Sequence, residues 1–151
     1  MKIGELLNSK DFKHRTVVTV EPNETILAAI QRLSEHDRGS LPVCNDKGEL
    51  VGIVSERDIV RKAFTQPDAS MQKLRVKDVM STPIIIGSPD DDLSYAIMVM
   101  KERRIRHLPI VDNLNVIGMI SMRDLLGVQL EECQTEIRLL SDPVYGKHRL
   151  I

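Results

Sequence analysis

The segment from Pro22 to Asn45 aligns without gaps to the segment from Pro89 to Asp112, a constant spacing of 67 residues in a chain of 151. Self-similarity at a fixed period restricts the fold to copies of one supersecondary unit. In this register Ala29-Ile30 meets Ala96-Ile97, Glu35 meets Glu102, and Leu41-Pro42-Val43 meets Leu108-Pro109-Ile110. One residue is then lost opposite Glu49. Beyond it Gly52-Ile53-Val54-Ser55-Glu56-Arg57-Asp58 falls on Gly118-Met119-Ile120-Ser121-Met122-Arg123-Asp124.

Each copy predicts the order β-α-β-β-α. The β-branched run Thr16 to Val20 predicts a strand, and Pro22-Asn23 a turn leading into a helix. In that helix Ile26, Ala29, Ile30 and Leu33 recur at one-face spacing. A hairpin follows, Leu41 to Cys44 and Leu50 to Val54 around Asn45-Asp46-Lys47-Gly48, and the last helix opens at Ser55. The second copy gives a strand at Ile84 to Ile86, a helix carrying Leu93, Ala96, Ile97 and Met100, a hairpin from Leu108 to Ile120, and a helix opening at Ser121. Short amphipathic helices, Ile3 to Leu7 and Val76 to Met80, precede the copies.

The fold class is therefore α+β. Each copy offers a three-stranded sheet too small to stand alone, so the two pack about a pseudo-two-fold axis and leave paired clefts between them. Residues 1–66 form the first repeat, 67–75 the connector, 76–130 the second repeat, and 131–151 a C-terminal helix, expected from Gln129 onward, with a tail. Amphipathic helices left on one side of the pair predict a two-fold homodimer.

Composition narrows the function. The chain has 21 basic against 22 acidic residues, 3% aromatics and no Trp, which argues against nucleic-acid binding by charge or by base stacking. Neither a signal peptide nor an apolar run of membrane-spanning length is present, and a soluble cytoplasmic protein is expected. Cys44 and Cys133 lie far apart and outside any CxxC pair, and no metal site is expected. There is no nucleophile elbow, P-loop, GxGxxG or His-Glu-x-x-His, so no catalysis is expected.

Ser55-x-x-Asp58 and Ser121-x-x-Asp124 each follow a buried strand and start a helix. Taken singly, each is a capping box worth about 1 kcal/mol to its helix. Their duplication at the mouths of paired clefts gives them a second use. Helix N-termini favour anions, and a carboxylate there can accept two hydrogen bonds from a ribose diol. Arg57, Arg123, Arg103, Arg104, Arg106 and His107 are available for phosphate.

The duplicated unit, the Leu-Pro-Val and His-Leu-Pro-Ile strands and the Gly-x-x-Ser-x-x-Asp endings together resemble a pair of CBS domains (the Bateman module), over residues 1 to about 130. The resemblance implies a non-catalytic regulatory module that binds an adenine nucleotide, AMP first, with ADP, ATP or NAD as alternatives, and passes its occupancy to a partner protein. Carried over, Asp124 would hold ribose, with Ser121, Arg106 and His107 on phosphate. Pro83, Ile84, Ile85 and Leu108 would wall the base, Arg57 would reach across from the first copy, and Arg123 stands beside Asp124. The first copy would use Asp58 and Ser55 with Thr16, Val17 and Val18. Because Gly39 and Ser40 stand where the second copy has Arg106 and His107, the Asp124 site ranks first. Two alternatives stay open: a ligand-free dimeric scaffold, and a binder of S-adenosylmethionine or a similar adenosyl compound.

Overall fold

The computed structural model describes residues 1–140. Helix α1 (Ile3–Leu7) leads into α2 (Ile26–Glu35), β1 (Ser40–Cys44), β2 (Leu50–Ser55) and α3 (Glu56–Thr65). A single 3-10 turn, Val76–Asp78, opens the second half, followed by α4 (Leu93–Arg103), β3 (His107–Asp112), β4 (Asn115–Ser121) and α5 (Met122–Leu140). No described helix is long and apolar enough to cross a membrane.

Local chemistry explains these boundaries. The Thr25 hydroxyl accepts from the Ala28 N–H at 3.1 Å and so starts α2, whose Ile26, Ala29 and Leu33 are buried. In the first hairpin, Asn45 Oδ1 accepts from the Lys47 and Glu49 N–H groups at 3.0 and 2.9 Å, and Gly48 takes φ +79°. The second hairpin turns at Asn113 and Leu114, both with positive φ, a tighter loop that accounts for the missing residue. Helix α5 is continuous where a separate C-terminal helix was expected. Gly127 has open space about it and nothing caps or breaks the chain there. Residues 141–151, the rest of the expected tail, lie outside the described residues.

The first strand of each unit is reduced to one parallel bridge, Val20 to Val43 and Gly87 to Ile110. Each sheet is therefore a two-stranded antiparallel hairpin. Both bridges obey the sequence spacing, so the copies are superposable units. The freed residues Thr16 to Val18 and Pro83 to Ile85 line clefts instead.

Two apolar cores hold the molecule. The first joins Val20, Ile26, Ala29, Leu33, Leu41, Val43, Val54 and Ile59 with Val76. The second joins Leu93, Ala96, Met100, Leu108, Ile110, Ile120 and Leu125 with Ile3, Leu6 and Phe12. The leader of each repeat thus fills the core of the other. Matched backbone bonds fix the exchange: Ile3 N–H donates to Asp91 O and Gly4 N–H to Pro89 O, while Val76 N–H donates to Glu24 O and Lys77 N–H to Pro22 O, all at 2.8–2.9 Å. Glycine permits the contact on both sides. A Cβ on Gly52 would lie 2.5 Å from Met80 Sδ, and one on Gly118 would lie 2.9 Å from Leu7 Cδ2.

Candidate functional site: two unlike clefts between the repeats

Each hairpin ends beside the helix that follows it. Ser40 pairs with Ser55 and His107 with Ser121. The first helical N–H then donates back to the residue before the hairpin, Glu56 to Gly39 O at 3.0 Å and Met122 to Arg106 O at 2.8 Å. This ties each helix start to the residues that border a cleft.

Asp58 Oδ2 accepts from the Ser55 N–H at 3.0 Å and the Ser55 hydroxyl at 2.9 Å, and Asp58 Oδ1 accepts from the Ser81 hydroxyl at 3.2 Å. Around it lies a cavity of about 290 Å³, near the lower end of small-ligand sites, bordered by Pro83, Ile84 and Ile85 on its apolar side. Arg57, Arg61, Arg104 and Arg106 border the same cavity against only two carboxylates, Glu56 and Asp58. Among the described residues none of the four guanidiniums forms an ion pair with a carboxylate.

Asp124 keeps the same cap, with Oδ2 accepting from the Ser121 N–H at 2.9 Å and the Ser121 hydroxyl accepting from the Asp124 N–H at 3.1 Å. Its Oδ1 is taken by Arg15 Nη1 at 3.1 Å. Burial pushes this carboxyl up, but the Ser121 bonds and Arg15 outweigh burial and hold it below the usual carboxylate range. Asp124, Ser121 and Arg123 border a cavity of about 610 Å³ together with Arg15, Arg38, Ser40 and Met119, and a second cavity of about 420 Å³ shares those last four residues and runs along Thr16, Val17 and Val18. Ser40 is only 3% exposed, and its Oγ is the one buried side-chain polar atom among the described residues without a hydrogen-bond partner. An orphaned hydroxyl of this kind costs about 1–3 kcal/mol.

His107 lies between the clefts and borders both, as do Gly39 and Glu56. Burial pushes the imidazole below its ordinary value and Arg106 adds to this, against the pull of Glu56 and Asp124. The ring is therefore neutral near pH 7. Gly39 makes room for it, since a Cβ there would sit 3.0 Å from Nε2.

The CBS-domain family model matches residues 10–64 and again 76–131. The chain belongs to the CBS-domain family. A CBS-domain protein from Burkholderia ambifaria superposes on it with a TM-score of 0.80 at 32% identity, over 87% of this chain and 96% of that one. An uncharacterized Methanopyrus kandleri protein is 37% identical over 120 residues, 79% of this chain and 61% of that protein's length. A CBS-domain structure named CBSX2, solved in complex with AMP, shares the fold with a TM-score of 0.72 at 22% identity, over 87% of this chain and 98% of that one.

Within this CBS pair the expected grouping of side chains is crossed. Pro83, Ile84, Ile85 and Arg106 stand with Asp58 and Ser55, whereas Thr16, Val17 and Val18 border the cavity that shares Arg15, Arg38, Ser40 and Met119 with that of Asp124 and Ser121. The segment before each α2-type helix faces the other repeat, which repeat spacing alone does not show. Arg57 and Arg123 each border the cleft of their own repeat's aspartate, so Arg57 does not reach toward Asp124. Leu108 is buried in the second core and borders neither cleft. His107 does border the Asp124 cavity as expected, but it borders the Asp58 cavity as well, and Arg106 lies on the Asp58 side, so the pair no longer ranks the Asp124 site first. Sequence reasoning missed Arg15, Arg38, Arg61, Ser40 and Ser81. Ser40 carried a usable signal, since it stands at the repeat position of His107, and Arg15 directly precedes the Thr16 to Val18 run.

Proposed function

We propose that this CBS pair is a non-catalytic sensor that binds an adenine nucleotide in the Asp58 cleft, with the Asp58 carboxylate on the ribose diol, Pro83 to Ile85 along the base, and the arginines on phosphate. The observation that carries this reading is a cavity bordered by four arginines, none in an ion pair among the described residues, and by two carboxylates at a helix start, Glu56 and Asp58. Guanidinium forks match phosphate oxygens in geometry and charge. AMP is the first ligand to test, with ADP, ATP and NAD next, and a CBS pair of the same fold holds AMP. Occupancy would act on a regulated protein by favouring one conformation or assembly state over another.

The assembly state proposed is a homodimer. Val60 and Phe64 on α3 and Leu126 and Leu130 on α5 are exposed at equivalent repeat positions, apolar surface that a second copy across a two-fold axis would cover. Light scattering is expected to return about twice the chain mass of 17.1 kDa; a monomer at micromolar concentration removes the dimer.

Thermal unfolding with AMP, ADP, ATP, NAD, adenosine and S-adenosylmethionine tests the ligand. A nucleotide at 100 times its dissociation constant stabilises by about 2.7 kcal/mol. Asp58→Ala is expected to abolish the nucleotide shift at the Asp58 cleft while costing the free protein only a capping increment of about 1 kcal/mol. If no compound moves the wild-type midpoint, the sensor reading fails.

A further inference from the structure

The CBS match ends at residue 131, yet helix α5 runs on to Leu140. Its hold on its own repeat ends earlier: Met122, Leu125 and Val128 pack in or against the second core, and every residue from Gln129 to Arg138 is exposed. The outer part of the helix is nevertheless far from uniformly polar. Leu126, Leu130, Ile137 and Leu140 are 47–85% exposed, and Cys133 is exposed among them.

These five residues follow one another at steps of four, three, four and three. That alternation lines apolar side chains into one seam, and the surface that fits it is a second helix with the same alternation. The seam runs along about 21 Å of helix. Glu131, Glu132, Thr135 and Arg138 fall on the far side of α5, away from it. Gly127, Gln129, Gln134 and Glu136 flank it, and with a single charge among them two copies of this helix can meet without a ladder of like charges.

Comparison with α3 decides which helix a second copy would offer. Val60 and Phe64 are the repeat equivalents of Leu126 and Leu130, so over that stretch α3 or α5 of another copy would serve equally well. Helix α3 ends at Thr65, however, the equivalent of Glu131. It has no residues to set against Cys133, Ile137 and Leu140. Another α5 has all of them. We infer that α5 carries a self-pairing seam, along which two copies of this chain join α5 to α5, with Cys133, the middle position, beside its own counterpart. The inference rests on the homodimer reading and adds which helices meet in it. The internal two-fold symmetry of the chain is thus not used at the interface, because only one of the two related helices is long enough.

The test is sedimentation equilibrium on the full chain and on the double variant Ile137→Glu with Leu140→Glu. Both positions are more than half exposed, so helical content by circular dichroism is expected to stay unchanged. The dimer dissociation constant is expected to rise at least about 100-fold, since four apolar side chains per dimer leave the seam and like charges enter it. Diamide, a small thiol oxidant that takes one hydrogen from each of two thiols, is expected to link the wild-type dimer through one S–S bond. Cys133→Ser should abolish that linked species, because Cys44 is buried. If the wild-type chain is a monomer at micromolar concentration, the homodimer reading and the seam fall together. If it is a dimer and the glutamate variant dimerises within about threefold of wild type, the seam falls and the homodimer reading stands. A wild-type dimer that diamide does not link through Cys133 likewise overturns the α5-to-α5 arrangement alone.

Discussion

Leu6→Ala is expected to cost about 3 kcal/mol of stability, although the residue lies in a five-residue helix at the edge of the chain. A terminal helix that short contributes little on its own. Leu6, however, is 2% exposed and packs with Met100, Leu108, Ile110 and Ile120 of the second repeat, so its loss leaves a cavity in a core it does not border in sequence. For a chain of this length the midpoint of thermal unfolding should fall by roughly 6–12 °C. A fall of less than about 2 °C would show that α1 is dispensable to the second core. The neighbouring Leu7, partly buried and set against Gly118, should give a smaller loss.

Arg106→Glu is expected to weaken ATP binding to the Asp58 cleft by roughly 100-fold while changing adenosine affinity by less than about threefold. A charge-assisted hydrogen bond to phosphate contributes about 1.5–3 kcal/mol, and reversal replaces attraction by repulsion. Arg106 is suited to this test because its backbone carbonyl is fixed by Met122 N–H at 2.8 Å while its side chain forms no ion pair among the described residues. The fold should therefore tolerate the change. ATP binding of the mutant at wild-type strength would place the phosphates elsewhere. Raising the ionic strength should weaken ATP far more than adenosine in the wild-type protein, and less so in the mutant.

The helices and hairpins were legible in the sequence because their signals are local. Ile26, Ala29 and Leu33 face one side whatever the rest of the chain does, and Asn45 to Gly48 turn by their own hydrogen bonds. The Ser-x-x-Asp caps were legible for the same reason, and both form as expected. Cleft membership was not, because it depends on how one copy is rotated against the other. That rotation sets Pro83 to Ile85 against Asp58 and Arg15 against Asp124, and no spacing within a repeat records it. The strand expected over Thr16 to Val20 failed on a related ground. β-Branched residues fit a half-buried surface in general, and here Thr16, Val17 and Val18 border a cavity in place of a sheet neighbour.

The crossed leaders have a consequence for how the molecule comes apart. Removing either leader opens the opposite core, so damage to one half is felt in the other and neither can melt alone. Heating should therefore produce a single sharp transition, with calorimetric and van't Hoff enthalpies in agreement. The stretch from Gln66 to Leu74 then acts as a clasp on a closed loop of mutual dependence. Lengthening it would slow the closing of that loop more than it would weaken the finished structure, because closure entropy grows only slowly with length.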